Sequence, residues 1–442
     1  MLTFMKKLLL LAFGICGCVS AAQAVSPVVD QQADSLMASH RVVELSADGV
    51  RTLTPAENEE LAGKFMQFYY DQYRHSQDPE APYFMFMSKD REMMMGIGGV
   101  IRMRAWYDWD GSVPSNGFSP ILIPMTPSPT QRDHLGTTPA GTCLFFRLAG
   151  HSGLLGDYSA YIEANFNGWS GSDFHLKKAY VTLRDFTVGY ASTTFADPAA
   201  VPSTVDAAGP TNKLSHTTVL VRYMPRVAKH ILLGISVEAP DQQIDADGTD
   251  TQECSVSVPD FAAMAQYDWG RNQHIRLAGI VRTLKYRDML HPRNHSVAGW
   301  GIQLSTVNNP VAPLTVYGTI NYGAGYAGMG GDLLAGAYDL IGNPDRPGRL
   351  YAPRSMGWCI GLQYNFRPNL FATLIGSQTR FLPSRQISPD EYKYGLLGTV
   401  NVFWNPVPRI QLGAQLDLAK RQNFSHQHRY ARRLGIMAQL SF

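Results

Sequence analysis

Arg432-Arg433-Leu434-Gly435-Ile436-Met437-Ala438-Gln439-Leu440-Ser441-Phe442 alternates without a break. Leu434, Ile436, Ala438, Leu440 and Phe442 fall on one face, and Arg433, Gly435, Met437, Gln439 and Ser441 on the other. A period of two is the signature of a β-strand with one apolar face. The stretch ends on an aromatic residue with no polar tail, although chain termini usually lie frayed in water. A terminus written this way is expected to be built into a sheet, either the edge of a sandwich or the wall of a barrel.

The same alternation recurs upstream. Ile97, Gly99, Ile101, Met103, Ala105 and Tyr107 alternate with Gly98, Val100, Arg102, Arg104, Trp106 and Asp108. Further two-faced runs cover Tyr158 to Asn167, Ala298 to Ser305, Leu314 to Tyr322 and Ile410 to Ala419. They run about eight to twelve residues, longer than the roughly five or six usual in soluble sheets. One face is apolar and bracketed by Tyr, Trp and Phe; the other carries Gly, Ser, Thr, Asn, Gln and charges. In lipid every backbone group must find a partner within the protein, so strands of this kind have to close on themselves. The sequence therefore predicts an all-β chain, a transmembrane antiparallel β-barrel of about 16 strands over residues 94–442.

Links between the runs support a barrel over a sandwich. Short ones fall at Arg184 to Phe186, Pro225 to Lys229, Gly270 to Asn272, Asn308 to Pro313, Phe366 to Asn369 and Asn405 to Pro408. Long ones fall between them, at Gly111 to Gly141, Thr194 to Ser215, Ala239 to Val258, Ala327 to Pro353 and Leu382 to Asp390. Tight periplasmic turns alternating with long outer loops give this asymmetry.

Composition removes other classes. Mean hydropathy is −0.14 and no long apolar run follows the N-terminus, which argues against a bundle of membrane helices. A formal net charge of +2 without a Lys/Arg block gives no reason to expect nucleic acid as a partner. Met1 to Ala24 reads as a secretory signal: Lys6 and Lys7, an apolar run from Leu8 to Ile15, and Ala22-Gln23-Ala24 as cleavage site. A rival reading takes Ile15 to Cys18 as a lipoprotein box. Cys143, Cys254 and Cys359 remain, an odd and widely spaced set that argues against a disulfide framework. Residues 25–93 read as a short α-helical N-terminal periplasmic segment. Thr54-Pro55-Ala56-Glu57 starts a helix, and Leu61, Phe65, Phe68, Tyr69 and Tyr73 recur at helical spacing. A pro-region and a plugging or oligomerisation segment both fit it.

On the polar faces cations outnumber anions. Arg102, Arg104, Arg147, Lys178, Arg184, Arg222, Arg276, Arg282 and Arg421 stand against Asp108, Glu163, Glu238, Asp268 and Asp417. In a narrow aqueous passage such rows attract anions, because the low-dielectric wall focuses their field. Pairing with the carboxylates, merely bracing the wall, is the alternative. The link from Phe195 through Asp197 to Asp206 and Thr211 is the candidate constriction, folding inward or capping the barrel. No catalytic set emerges: Gly323, Gly325 and Gly328 lack a βαβ context, the acidic run Asp241 to Glu253 lacks the EF-hand glycine, and His426 and His428 stand in a loop. No cofactor or metal is called for, and the chain is not expected to be an enzyme.

The C-terminal strand resembles the terminal signal of bacterial outer-membrane barrels. Phe174 to Val181, Val188 to Phe195, Pro202 to Asp206 with Gly209-Pro210, and Asn401 to Pro406 are similar to the DcaP-like outer-membrane porins. That resemblance implies a homotrimer in the bacterial outer membrane, among its lipids and lipopolysaccharide, that passes small anions such as dicarboxylates. A diffusion porin biased to anions is the expected function; the alternative is a closed barrel acting as a structural or surface-attachment protein.

Overall fold

In the computed structural model the described residues are 41–44, 84–88, 93–109, 111, 115–154, 156–166, 174–270, 273–407 and 409–442. Sixteen strands form the wall: β1 Met93–Trp109, β2 Cys143–Ser152, β3 Gly156–Phe166, β4 Phe174–Leu183, β5 Phe186–Ser192, β6 Thr217–Tyr223, β7 Ile231–Glu238, β8 Asp260–Gly270, β9 Gln273–Asp288, β10 Arg293–Val311, β11 Leu314–Ala324, β12 Arg354–Arg367, β13 Leu370–Leu382, β14 Tyr392–Val407, β15 Ile410–Asn423 and β16 His428–Ser441. Each pairs antiparallel with the next, and β16 pairs with β1 from Ser441↔Val100 to Arg432↔Trp109. The sheet thus closes, leaving no free edge in the wall.

Alternation sets the two faces as the sequence predicts. On β16 Leu434 and Ile436 are 48% and 56% exposed, while Arg433 and Met437 are 1% and 6% exposed. Apolar side chains that a soluble sheet would bury point outward from every strand, which is the inversion a lipid solvent demands. The seam is fastened at the terminus: Phe442 and Gly99 exchange backbone hydrogen bonds of 2.9 and 2.8 Å. Gly98 and Gly99 allow this approach, since a Cβ on either would stand within 2.7 Å of Phe442 atoms.

One end of the barrel carries short turns, such as 184–185, 312–313 and 368–369, and the other the long loops 193–216, 239–259 and 325–353. Residues 1–24 and the stretch from Leu61 to Tyr73 lie outside the described residues. Within 25–93 the described backbone is extended: Phe84–Met87 pairs with the start of β1, and Arg41–Glu44 pairs parallel with Phe84–Met87.

Candidate solute path

Loop 193–216 turns into the barrel. Its first residues are fixed to Glu238 of β7, whose buried carboxylate accepts from the Thr193 hydroxyl at 2.6 Å and the Thr194 amide at 2.8 Å. Asp197 then reaches β9 and β10: His274 Nε2 lies 2.9 Å away, the Ser305 hydroxyl donates at 2.5 Å and Arg276 stands at 4.0 Å. Burial pushes the Asp197 carboxyl up, but the hydrogen bond with His274 and the positive charge of Arg276 outweigh it and hold it at about 2. Farther on, the Thr373 hydroxyl of β13 donates to Ser203 O, and Gln415 Oε1 of β15 accepts from the Val205 and Asp206 amides at 2.5 and 2.9 Å. Asp206 Oδ2 meets Arg433 Nη1 of β16. On the return, the Thr211 amide donates to Ser377 Oγ and Asn212 Nδ2 donates to Thr319 Oγ1.

Glycines on the inner face make room for this course. A Cβ at Gly301 would meet Phe195 at 2.8 Å, at Gly357 Asn212 at 2.5 Å, at Gly361 Pro202 at 2.8 Å and at Gly413 Val205 at 2.8 Å. The loop lies flat against β9 to β16 because the wall there is bare backbone.

Two other loops pack on it. Asp206 Oδ1 accepts from the Phe118 amide, and the Asp332 amide donates to Thr211 O at 2.7 Å. The Asp332 carboxyl accepts from the Ser119 hydroxyl at 2.6 Å and the Tyr392 hydroxyl at 2.9 Å, and burial pushes it up to about 7.

With β9 to β16 covered by the loop, a cavity lies toward β1 to β6. Its volume is about 490 Å³, and its lining includes Arg102 and Arg104 of β1, Lys177 and Lys178 of β4, Tyr190 of β5, and Lys213 and His216 of the loop. Among the described residues no carboxylate lines it. Arg102 Nε donates to Gln439 at 2.7 Å, and Arg104 Nη1 to Ala140 O at 3.1 Å. Both of these acceptors are neutral oxygens, and they orient the guanidinium groups.

The expected cations therefore divide into groups. Arg102, Arg104 and Lys178 line the cavity. Arg147 lies on the inner face of β2, over the Tyr161 ring at 5.6 Å. Arg222 donates to Ser192 O. Arg276, Arg282 and Arg421 fasten loops: Arg276 binds Thr194 O, Arg282 joins Asp260 and Asp339 at 3.0 Å each, and Arg421 binds Ile121 O and Ile123 O. Arg184 is a correction. It stands exposed in the tight turn between β4 and β5 with φ +52°, off the inner wall. A turn residue ends the strand's alternation, so parity does not carry a face assignment into it.

Among the inner cations that escaped the expected set are Lys177 and Arg433. Lys177 shares the inner side with Lys178 because of a register shift opposite Glu163 and Ala164, a bulge that puts consecutive side chains on one face. Its Nζ lies 2.8 Å from Glu163. Arg433 is legible on the inner face of the last strand, and there it makes a two-point pair with Asp108 at 2.6 and 2.9 Å.

Solved structures share the fold of the barrel. The outer membrane channel DcaP of Acinetobacter baumannii superposes with a TM-score of 0.68 at 19% identity, covering 81% of this chain and 99% of that one. The chain has the barrel fold of outer-membrane channels. An anion-selective porin from Comamonas acidovorans gives a TM-score of 0.53 at 12% identity, covering 79% of this chain and all of that one. A loop-deleted form of OmpT, an outer membrane protein of Vibrio cholerae, gives 0.50 at 9% identity, covering 79% of this chain and all of that one. No family model and no curated protein matches the chain.

Proposed function

We propose that this barrel is a passive diffusion channel of the bacterial outer membrane, works as a homotrimer among outer-membrane lipid and lipopolysaccharide, and favours small anions, dicarboxylates among them. The observation that carries the reading is the cavity between loop 193–216 and β1 to β6. Arg and Lys of β1, β4 and the loop line it, and among the described residues no carboxylate does. A solute carrying two carboxylates spans such a passage with a cation at each end, and the water-poor wall strengthens both attractions. The likeness to the channel and to the anion-selective porin supports this reading of the fold.

The density of loop contacts also supports a second reading, a closed barrel with a structural or attachment role. Conductance in planar bilayers separates them. Under a potassium chloride gradient the channel reading expects a reversal potential of the anion sign, moved toward zero when Arg102, Arg104 and Lys178 are together replaced by Ser. Absence of conductance at every voltage sinks it.

A further inference from the structure

Charge on the outside of the barrel has one sign. Along the outward rows of β9 to β16, the ionised side chains toward the long-loop end are Lys285, Arg287, Arg354, Arg380, Lys420 and Arg432, and among the described residues no Asp or Glu occurs in those rows. Charges on a lipid-facing wall are tolerated only near the interface, where long side chains reach the headgroups. Here the interface they reach is the outer one.

Two of them are held in place. Arg380 lies over the Tyr394 ring at 5.3 Å, and Lys420 lies 5.5 Å from the same ring and 5.8 Å from that of Tyr430. The Lys420 ammonium donates to the Tyr394 hydroxyl at 3.2 Å, which donates onward to Gln422 at 2.5 Å. No described carboxylate pairs with Arg380 or Lys420; Glu391, close in sequence, is engaged by Tyr338. Two cations fixed on one tyrosine leave their remaining donors facing outward.

Below them the wall is hollowed. Gly376 and Gly398 pair side by side on the outer face, next to Leu418. A Cβ on Gly376 would meet only Trp358 at 3.9 Å, and one on Gly398 only Leu418 O at 3.9 Å, so the space above both is open. Lys420 follows Leu418 by two residues, about 7 Å along β15.

We propose that Arg380, Lys420 and the hollow over Gly376 and Gly398 form a binding site for a phosphorylated, acylated glycolipid of the outer leaflet. The phosphate meets the two cations and an acyl chain lies in the hollow. Charge complementarity selects this occupant: an apolar hollow alone fits any lipid or a second copy of the chain, whereas paired cations without a carboxylate call for an anionic headgroup.

Native mass spectrometry of the purified, detergent-solubilised protein with bisphosphorylated lipid A tests it. The wild type should retain the lipid, Arg380→Ser with Lys420→Ser should lower retention at least tenfold, and Gly398→Leu should lower it with both charges intact. Unchanged single-channel conductance shows that the variants are folded, because none of these side chains reaches the lumen. Equal retention by the double variant overturns the proposal, as does equal retention of the dephosphorylated lipid. So does dissociation of the oligomer with lipid retention per chain unchanged, which assigns the face to a second copy. None of these outcomes depends on which ion the pore prefers.

Discussion

Asp206 and Arg433 meet at 3.2 Å, 227 residues apart in sequence, and join the turn of the inward loop to the strand that closes the barrel. Arg433 is already held by Asp108, so the guanidinium keeps a carboxylate partner when Asp206 is changed. Asp206→Asn is expected to cost the loop about 1.5–3 kcal/mol of docking, the usual worth of a hydrogen bond to a charged group. Single-channel conductance should rise or become noisier while heat resistance of the barrel on gels is kept. A quiet, unchanged channel would show that the pair does not hold the loop.

Gly361→Val places a side chain where Pro202 sits, 2.8 Å from its ring. Overpacking of this kind costs about 1–3 kcal/mol, and the loop is the part that can move. The expected result is a changed conductance with an unchanged strand content by circular dichroism.

Glu163→Gln removes the carboxylate that holds Lys177 at 2.8 Å. The field in the passage becomes more positive, so the reversal potential should move farther toward the anion limit. An unchanged reversal potential would show that Lys177 takes no part in selecting ions.

Asp332 gives the loops a response to pH. Its carboxyl is raised by burial to about 7, whereas an undocked carboxyl loses its proton near 4. Docking therefore binds a proton, its contribution is full below about pH 4, and it is lost as pH rises through 7. Loop openings should be several-fold more frequent at pH 8 than at pH 5, and Asp332→Asn should flatten the difference. Asp197 works in the opposite direction, held near 2, and stays charged throughout that range.

The wall was legible because a period of two is a local property: Leu434 and Arg433 already declare opposite faces. Link lengths gave the two ends for the same reason. Lys177 was missed and Arg184 misplaced where the local rule stops, at a bulge and at a turn. The roles of Arg276, Arg282 and Arg421 were not legible, since their partners in the loops lie far away in sequence. Their positions on the inner wall were. The glycines under the loop offered a signal, as Gly301, Gly357, Gly361 and Gly413 are bare positions on inner faces that otherwise carry polar side chains.

Because loop 193–216 is tied in succession to β9, β10, β11, β13, β15 and β16, it acts as a brace across nearly half the circumference. Such a brace cannot swing aside on one hinge. It has to be unbuttoned fastening by fastening, so wide states of the passage should be rare, long-lived and stepped rather than a rapid flicker.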